Sequence, residues 1–156
     1  MSLFINKLIS AQQGSTKLGT ASQQFLAHYL KAIDNSDSSS GPAIDFYDKK
    51  AVFHSQNGTV FSGRDEIEAG MGSAFGRFQR LQHESTWLTE IKKEDGTTLL
   101  VWQGVRNIWR LGNSSATPDV SAPISLIGTV AKDISGQSEA LKWQVVFLYW
   151  DTALLA

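Results

Sequence analysis

The chain has 156 residues, a typical length for one domain, and 42 % of them are hydrophobic, enough for one sizeable core. Fourteen basic against 15 acidic residues leave a net charge of −1, which argues against a nucleic-acid partner and against an anionic membrane surface. The absence of cysteine excludes disulfides, thiolate metal sites and a Cys nucleophile, while eight Phe, five Trp and three Tyr exclude intrinsic disorder. No apolar run approaches the roughly 18 residues of a membrane-spanning helix. Met1-Ser-Leu-Phe-Ile-Asn-Lys-Leu-Ile lacks a basic leader region, so a cytoplasmic protein is expected.

Residues 1–20 read as an arm, broken by the polar run from Gln12 to Thr16, and residues 21–156 as a single domain. Thr20 and Gln23 have the spacing of a capping box, and Phe25, Tyr29 and Ile33 then recur at every fourth position of a helix. Pro42 opens a short second helix through Ile44, Phe46 and Tyr47. Ala51 to Ser55 reads as a strand, with Asn57-Gly58 as a hairpin turn into Thr59-Val-Phe61. Ser62 and Asp65 begin a third helix, whose buried stripe is Ile67, Met71, Phe75 and Phe78. Phe75, central to that stripe, is expected to cost about 3–5 kcal/mol on truncation to Ala. Four long strands follow, over residues 80–92, 98–111, 124–134 and 141–152. Helices early and long antiparallel strands late make an α+β fold on a strongly bent sheet.

Familiar catalytic signatures are missing: no Walker A sequence, no G-x-S-x-G elbow and no H-E-x-x-H. Gly70-Met-Gly72-Ser-Ala-Phe-Gly76 differs from a dinucleotide fingerprint, because its third glycine is one residue late and it lies within a helix. His28, His54 and His83 lack the short spacing of a metal pair, so neither metal nor cofactor is expected. Strand alternation places His83 with Leu81, Ser85, Trp87 and Ile91 on one apolar face. It also places Gln103 and Asn107 with Val101, Val105 and Trp109, as amides that a bound ligand would satisfy. Arg106 and Arg110 fall on the opposite face, read as solvated or interface residues. On the last strand Trp143, Val145, Phe147, Tyr149 and Asp151 share one face, and Val146, Leu148 and Trp150 the other.

The order of elements resembles the nuclear transport factor 2-like superfamily, which includes ketosteroid isomerase, scytalone dehydratase and the SnoaL-like polyketide cyclases. The resemblance spans residues 21–154. It rests on Tyr29-Leu-Lys-Ala-Ile-Asp-Asn-Ser-Asp37, on Phe46-Tyr-Asp-Lys-Lys-Ala-Val-Phe-His-Ser-Gln-Asn-Gly58, on Ser62-Gly-Arg-Asp-Glu-Ile67 and on Leu81-Gln-His83. It implies a cone-shaped α+β barrel, with three helices on a curved sheet around an apolar cavity, and often dimerisation through the sheet's outer face. It further implies that His83 matches a catalytic His of scytalone dehydratase, against the alternative of a hydrogen-bonded structural histidine. Tyr29 matches the oxyanion-hole Tyr of ketosteroid isomerase, or is the polar-tipped member of a core stripe; Tyr47 has the same two readings. His54 precedes Ser55, which stands where that isomerase has its carboxylate base, so His54 either replaces the base or lies outside. Asp151 matches loosely the acidic residues on late strands of SnoaL-like cyclases, or is a solvated strand end. Tyr47, Trp87, Gln103, Asn107, Phe147 and Tyr149 are the expected substrate-binding residues.

Two functions follow. One is a cofactor-independent enzyme that isomerises, cyclises or dehydrates a small, apolar, oxygenated molecule by acid/base chemistry. The other is a non-catalytic binding or dimerisation module. A homodimer is expected through an outer face carrying Trp102, Ile108, Val146, Leu148 and Trp150.

Overall fold

The computed structural model describes residues 19–34, 42–133 and 139–150. The proposed arm, apart from its last two residues, and Asp151 therefore lie outside the described residues. Helix α1 spans Ala21–Asp34. Its capping box forms as the spacing predicts: Gln23 N–H donates to Thr20 Oγ1 and Thr20 N–H to Gln23 Oε1, each at 3.2 Å. The expected second helix is a single 3-10 turn, Ala43–Phe46, because Tyr47 is already extended. Helix α2, Arg64–Phe75, starts at Gly63 with φ 83°, a left-handed conformation that glycine adopts without a Cβ clash. Two α-helices and a 3-10 turn thus stand where three helices were expected among the described residues.

The six strands are β1 (Tyr47–His54), β2 (Val60–Ser62), β3 (Phe78–Lys92), β4 (Thr98–Arg110), β5 (Val120–Lys132) and β6 (Leu141–Trp150). Their order is β2-β1-β6-β5-β4-β3, antiparallel throughout except for the β1/β6 pair. The fold is the expected mostly antiparallel α+β arrangement, but the sheet is curved and open rather than a closed barrel, with β2 and β3 at its edges. Strand β5 begins four residues before its expected start and includes Pro123. Pro123 lies opposite Val105 of β4 and has no N–H to donate to the ladder.

Two of the sheet's register slips turn expected cavity residues away from the helices. The β3/β4 register slips between Ser85 and Trp87, and the β5/β6 register slips at Thr129/Val130, leaving Gln144 unpaired. Because the side-chain period is two, each slip flips the parity of everything beyond it. The concave face therefore carries Leu81, His83, Leu100, Trp102, Arg106 and Ile108, with Ile124, Leu126, Trp143 and Val146 beside them, all buried. Helix α1 covers this face with Phe25, Leu26, Tyr29, Leu30 and Ile33. An aromatic cluster ties helix, 3-10 turn and sheet together: Phe25 meets Trp143 edge-on at 5.1 Å, and Tyr29 meets Phe46 and Trp143 at 5.7 and 5.6 Å.

The convex face is legible in rows across the strands. Trp87, Gln103, Ser125 and Tyr149 form one; Thr89, Val101, Ile127, Phe147 and His54 the next; Ile91, Leu99, Thr129, Val145 and Val52 a third. Trp102, Ile108, Val146, Leu148 and Trp150, expected on this outer face, point the other way.

Candidate active site

Between α1, α2 and the concave face lies a cavity of about 1060 Å³. Its walls are largely apolar: Leu30, Ile33, Phe53, Phe61, Trp102, Ile124, Leu126, Leu148 and Trp150. Helix α2 contributes Ile67, Met71 and Phe75, of which only Ile67 is fully buried. The other two are half-buried, packed against the core on one side and lining open space on the other, so the stripe expected to be solid core is in part a cavity wall. The rim holds Asn57, Glu66 and Arg77. Few polar groups converge on a mostly apolar volume, which is how small-molecule sites are built.

The first polar group is Tyr29, on the face of α1 that meets the sheet. Its hydroxyl lies 2.6 Å from that of Tyr47, and both side chains are buried. Tyr29 lines the cavity and Tyr47 stands behind it. Burial pushes the Tyr29 phenol up to about 12, partly offset by its bond to Tyr47 and by the positive charge of Arg106. Tyr47 is likewise raised well above its ordinary value, again by burial first. Both are neutral phenols at pH 7. When Tyr47 donates to Tyr29, the Tyr29 proton is free to be offered to the cavity.

The second group is a relay of three residues. Asp34 ends α1, where a carboxylate opposes the helix dipole, and two donors from β3 compensate it. The backbone N–H of His83 donates to Asp34 Oδ2 at 3.0 Å, and His83 Nδ1 lies 2.5 Å from Oδ1. On the other side Arg106 Nε–H donates to His83 Nε2 at 2.8 Å; the two residues are direct cross-strand neighbours on β3 and β4. An Arg N–H can only donate, so Nε2 is the accepting nitrogen and the imidazole proton sits on Nδ1, facing Asp34. Burial holds the His83 pKa below its ordinary 6.5; the bond to Asp34 pulls it up and Arg106 pushes it down. The relay at neutral pH is therefore carboxylate, neutral imidazole, guanidinium. Burial also lowers Arg106 to about 10, which still leaves it fully charged at pH 7. Its guanidinium lies over the Trp150 ring at 4.8 Å.

Of the residues expected at the site, Tyr29 and His83 are brought to the cavity, with Tyr47 in support. His83 is in the wall rather than presented to the space, its side chain being 1 % exposed. His54 is on the convex face, where its ring stacks on Phe147 at 4.2 Å, and Phe53 takes the inward place instead. Trp87, Gln103, Phe147 and Tyr149 are convex-face residues, moved off the cavity by the two bulges and by the true parity of β4. Asn107 is buried on the convex side, and protein groups satisfy its amide: it donates to Glu84 Oε1 and accepts from Ser121 Oγ, both at 2.6 Å. Two residues take places the sequence reading did not assign them. Asp34 read as a helix terminus, and Arg106 as a solvated charge. The signal for Arg106 was its alternation with Trp102 and Ile108, two large apolar residues that share its face. Among the described residues, no three His, Asp or Glu side chains converge as metal ligands.

No protein-family model matches the sequence, and no curated protein matches it significantly. Solved structures do. Aln2 from a Streptomyces species is 22 % identical over 91 % of this chain and 96 % of its own, with a TM-score of 0.69. Nuclear transport factor 2 from Cryptosporidium parvum is 15 % identical over 88 % of this chain and 100 % of its own, at 0.66. A protein assigned as a scytalone dehydratase, from Novosphingobium aromaticivorans, is 10 % identical over 85 % of this chain and 83 % of its own, at 0.67. The likeness is one of fold, and helices laid on one face of a curved, open, mostly antiparallel sheet give the chain the nuclear transport factor 2-like fold.

Proposed function

We propose that the protein is an enzyme acting without a cofactor on a small, largely apolar, oxygenated molecule of polyketide or terpenoid character, which it isomerises, cyclises or dehydrates by proton transfer. The observation that carries this reading is the placing of two unlike polar groups in one apolar cavity. Tyr29 is a neutral phenol whose proton is free when Tyr47 donates to it, suited to a carbonyl oxygen that gains charge as a neighbouring C–H is lost. The Asp34–His83 pair is the proton acceptor: His83 is neutral, and Asp34 fixes its tautomer with Nε2 as the basic atom. In the reaction Arg106 Nε–H swings away from Nε2, the substrate C–H takes its place, and the proton moves to His83 as electron density moves to the oxygen held by Tyr29. The likeness to a protein assigned as a scytalone dehydratase supports the class of reaction. The proposal extends to a cytoplasmic homodimer with no nucleic acid or membrane as partner; among the described residues no helix is long and apolar enough to cross a membrane.

The contrary reading is a binding module, favoured by one observation: Arg106 occupies the His83 lone pair. Deuterium exchange separates the two readings without knowledge of the natural substrate. A bicyclic ketone such as 2-tetralone is incubated with the protein in D2O and followed by proton NMR. Exchange alpha to the carbonyl above the buffer rate, reduced about 10²-fold or more in Tyr29→Phe and His83→Gln, is the expected result. Bound ketone with exchange at the buffer rate would leave only the binding module.

A further inference from the structure

Arg106 is 5 % exposed, and only one of its N–H groups has a protein partner among the described residues, the Nε–H on His83. The two Nη groups are not sealed in protein either, since the buried side-chain atoms without a partner are the indole nitrogens of Trp109 and Trp143. The Nη groups therefore keep some surface, and Arg106 lines the cavity. A guanidinium carries five donors in a rigid plane. Leaving four of them unanswered between Trp150 and apolar walls is costly unless something in the cavity answers them. The nearest compensating charge, Asp34, is already bonded twice to His83 and reaches Arg106 only across the imidazole ring.

Resting on the reading of the cavity as a substrate site, we infer that the Nη edge of Arg106 receives an acidic group of the substrate, so that the natural ligand is an apolar, oxygenated carboxylic acid. A carboxylate matches the guanidinium fork with two parallel N–H···O bonds and brings negative charge to the Nη edge, Glu66 at the rim being bonded to the Ser62 N–H instead. Trp150 fixes the plane of the fork, and before the reaction His83, held by Asp34, fixes its Nε corner. Arg77 is the other guanidinium in the cavity lining, but it stands exposed at the rim, where water answers its donors.

Calorimetric titration with naphthalene-2-carboxylate and with its neutral amide, at pH 7, tests the inference. The two probes have the same rings and differ in charge. The acid is expected to bind at least about tenfold more tightly than the amide, an advantage lost in Arg106→Gln, which should still bind the amide, and kept in Arg77→Gln. Equal affinity for acid and amide in the native protein would overturn the carboxylate subsite and leave the cavity reading intact. An advantage that survives in Arg106→Gln, or vanishes in Arg77→Gln, would likewise overturn it in favour of the rim. Failure of both probes to bind would remove the cavity reading and this inference together. Should Arg106→Gln not fold, the native ratio and the Arg77→Gln result decide by themselves.

Discussion

Arg106 donates its Nε–H to His83 Nε2 at 2.8 Å, so the resting histidine is proton-free on the side a substrate would use and protonated on the side facing Asp34. This arrangement has a pH signature. The folded His83 has a pKa below 6.5, chiefly through burial. Between that lowered value and 6.5 the unfolded chain binds a proton that the folded chain does not, so stability falls as the pH drops through this window and is complete above it. Thermal melts from pH 7.5 to 5 should show this slope, and His83→Gln should flatten it. A slope as steep in the variant as in the native protein would show that His83 is not its source.

The phenol pair makes a sharper prediction. Tyr29→Phe leaves a buried Tyr47 hydroxyl without its partner, and Tyr47→Phe does the converse, each at about 1–3 kcal/mol. The double variant removes both hydroxyls and should cost little more than either single one, because no orphan remains. Denaturant titration of the four proteins measures the coupling. Strict additivity would mean that the 2.6 Å contact contributes nothing.

Phe75 illustrates how a cavity changes an energy. As solid core it would cost about 3–5 kcal/mol on truncation. It is half-buried in the wall of an open space, so Phe75→Ala removes less burial and creates no new sealed void; the expected loss is about 1 kcal/mol. Urea unfolding gives the number, and a loss above about 3 kcal/mol would mean that α2 closes on the sheet more tightly than the structure has it.

Gly128 is inward on β5, and a Cβ there would meet Trp143 at 2.7 Å and the Val145 carbonyl at 2.8 Å. Neither can retreat, since Trp143 is completely buried and the carbonyl belongs to the neighbouring strand. Gly128→Ala should therefore destabilise by about 1–3 kcal/mol, although alanine normally favours a strand over glycine. A neutral or stabilising substitution in a chemical melt would contradict the close packing of Trp143 on β5.

The order and type of the elements were legible because local signals carry them: the Thr20/Gln23 box, the Asn57-Gly58 turn and the length of the apolar strands. The facing of side chains was less so. On β4 both faces are apolar, Val101, Val105 and Trp109 on one and Leu100, Trp102 and Ile108 on the other, and alternation alone does not choose between them. What chooses is tertiary: α1 covers the face with Trp102, and Asp34 compensates the Arg106 charge through His83. On β3 the slip between Ser85 and Trp87, and on β6 the slip at Gln144, reverse the parity, and no residue type announces them. Hence Tyr29, on a helix, and His83, before the slip at Thr86, reach the cavity lining, while Trp87, Phe147 and Tyr149 face the other way.

The convex face yields the last prediction. Trp87, Ile91 and Tyr149 are each more than two-fifths exposed there, and Val101, Ile127, Phe147 and Val145 lie half-buried between them in adjoining rows. So broad an apolar sheet face in a single subunit invites association. A second copy is the proposed cover, the sheets packing convex face on convex face. Trp87 and Tyr149 sit at the two ends of one cross-strand row, so a charge at each would border the whole width of the contact. Sedimentation velocity at micromolar concentration should show a dimer for the native chain and a monomer for Trp87→Glu combined with Tyr149→Glu. The variant should keep its melting transition to within a few degrees, because both side chains are outside the core. A native monomer would refute the pairing, and a variant that remains dimeric would move the interface to another surface.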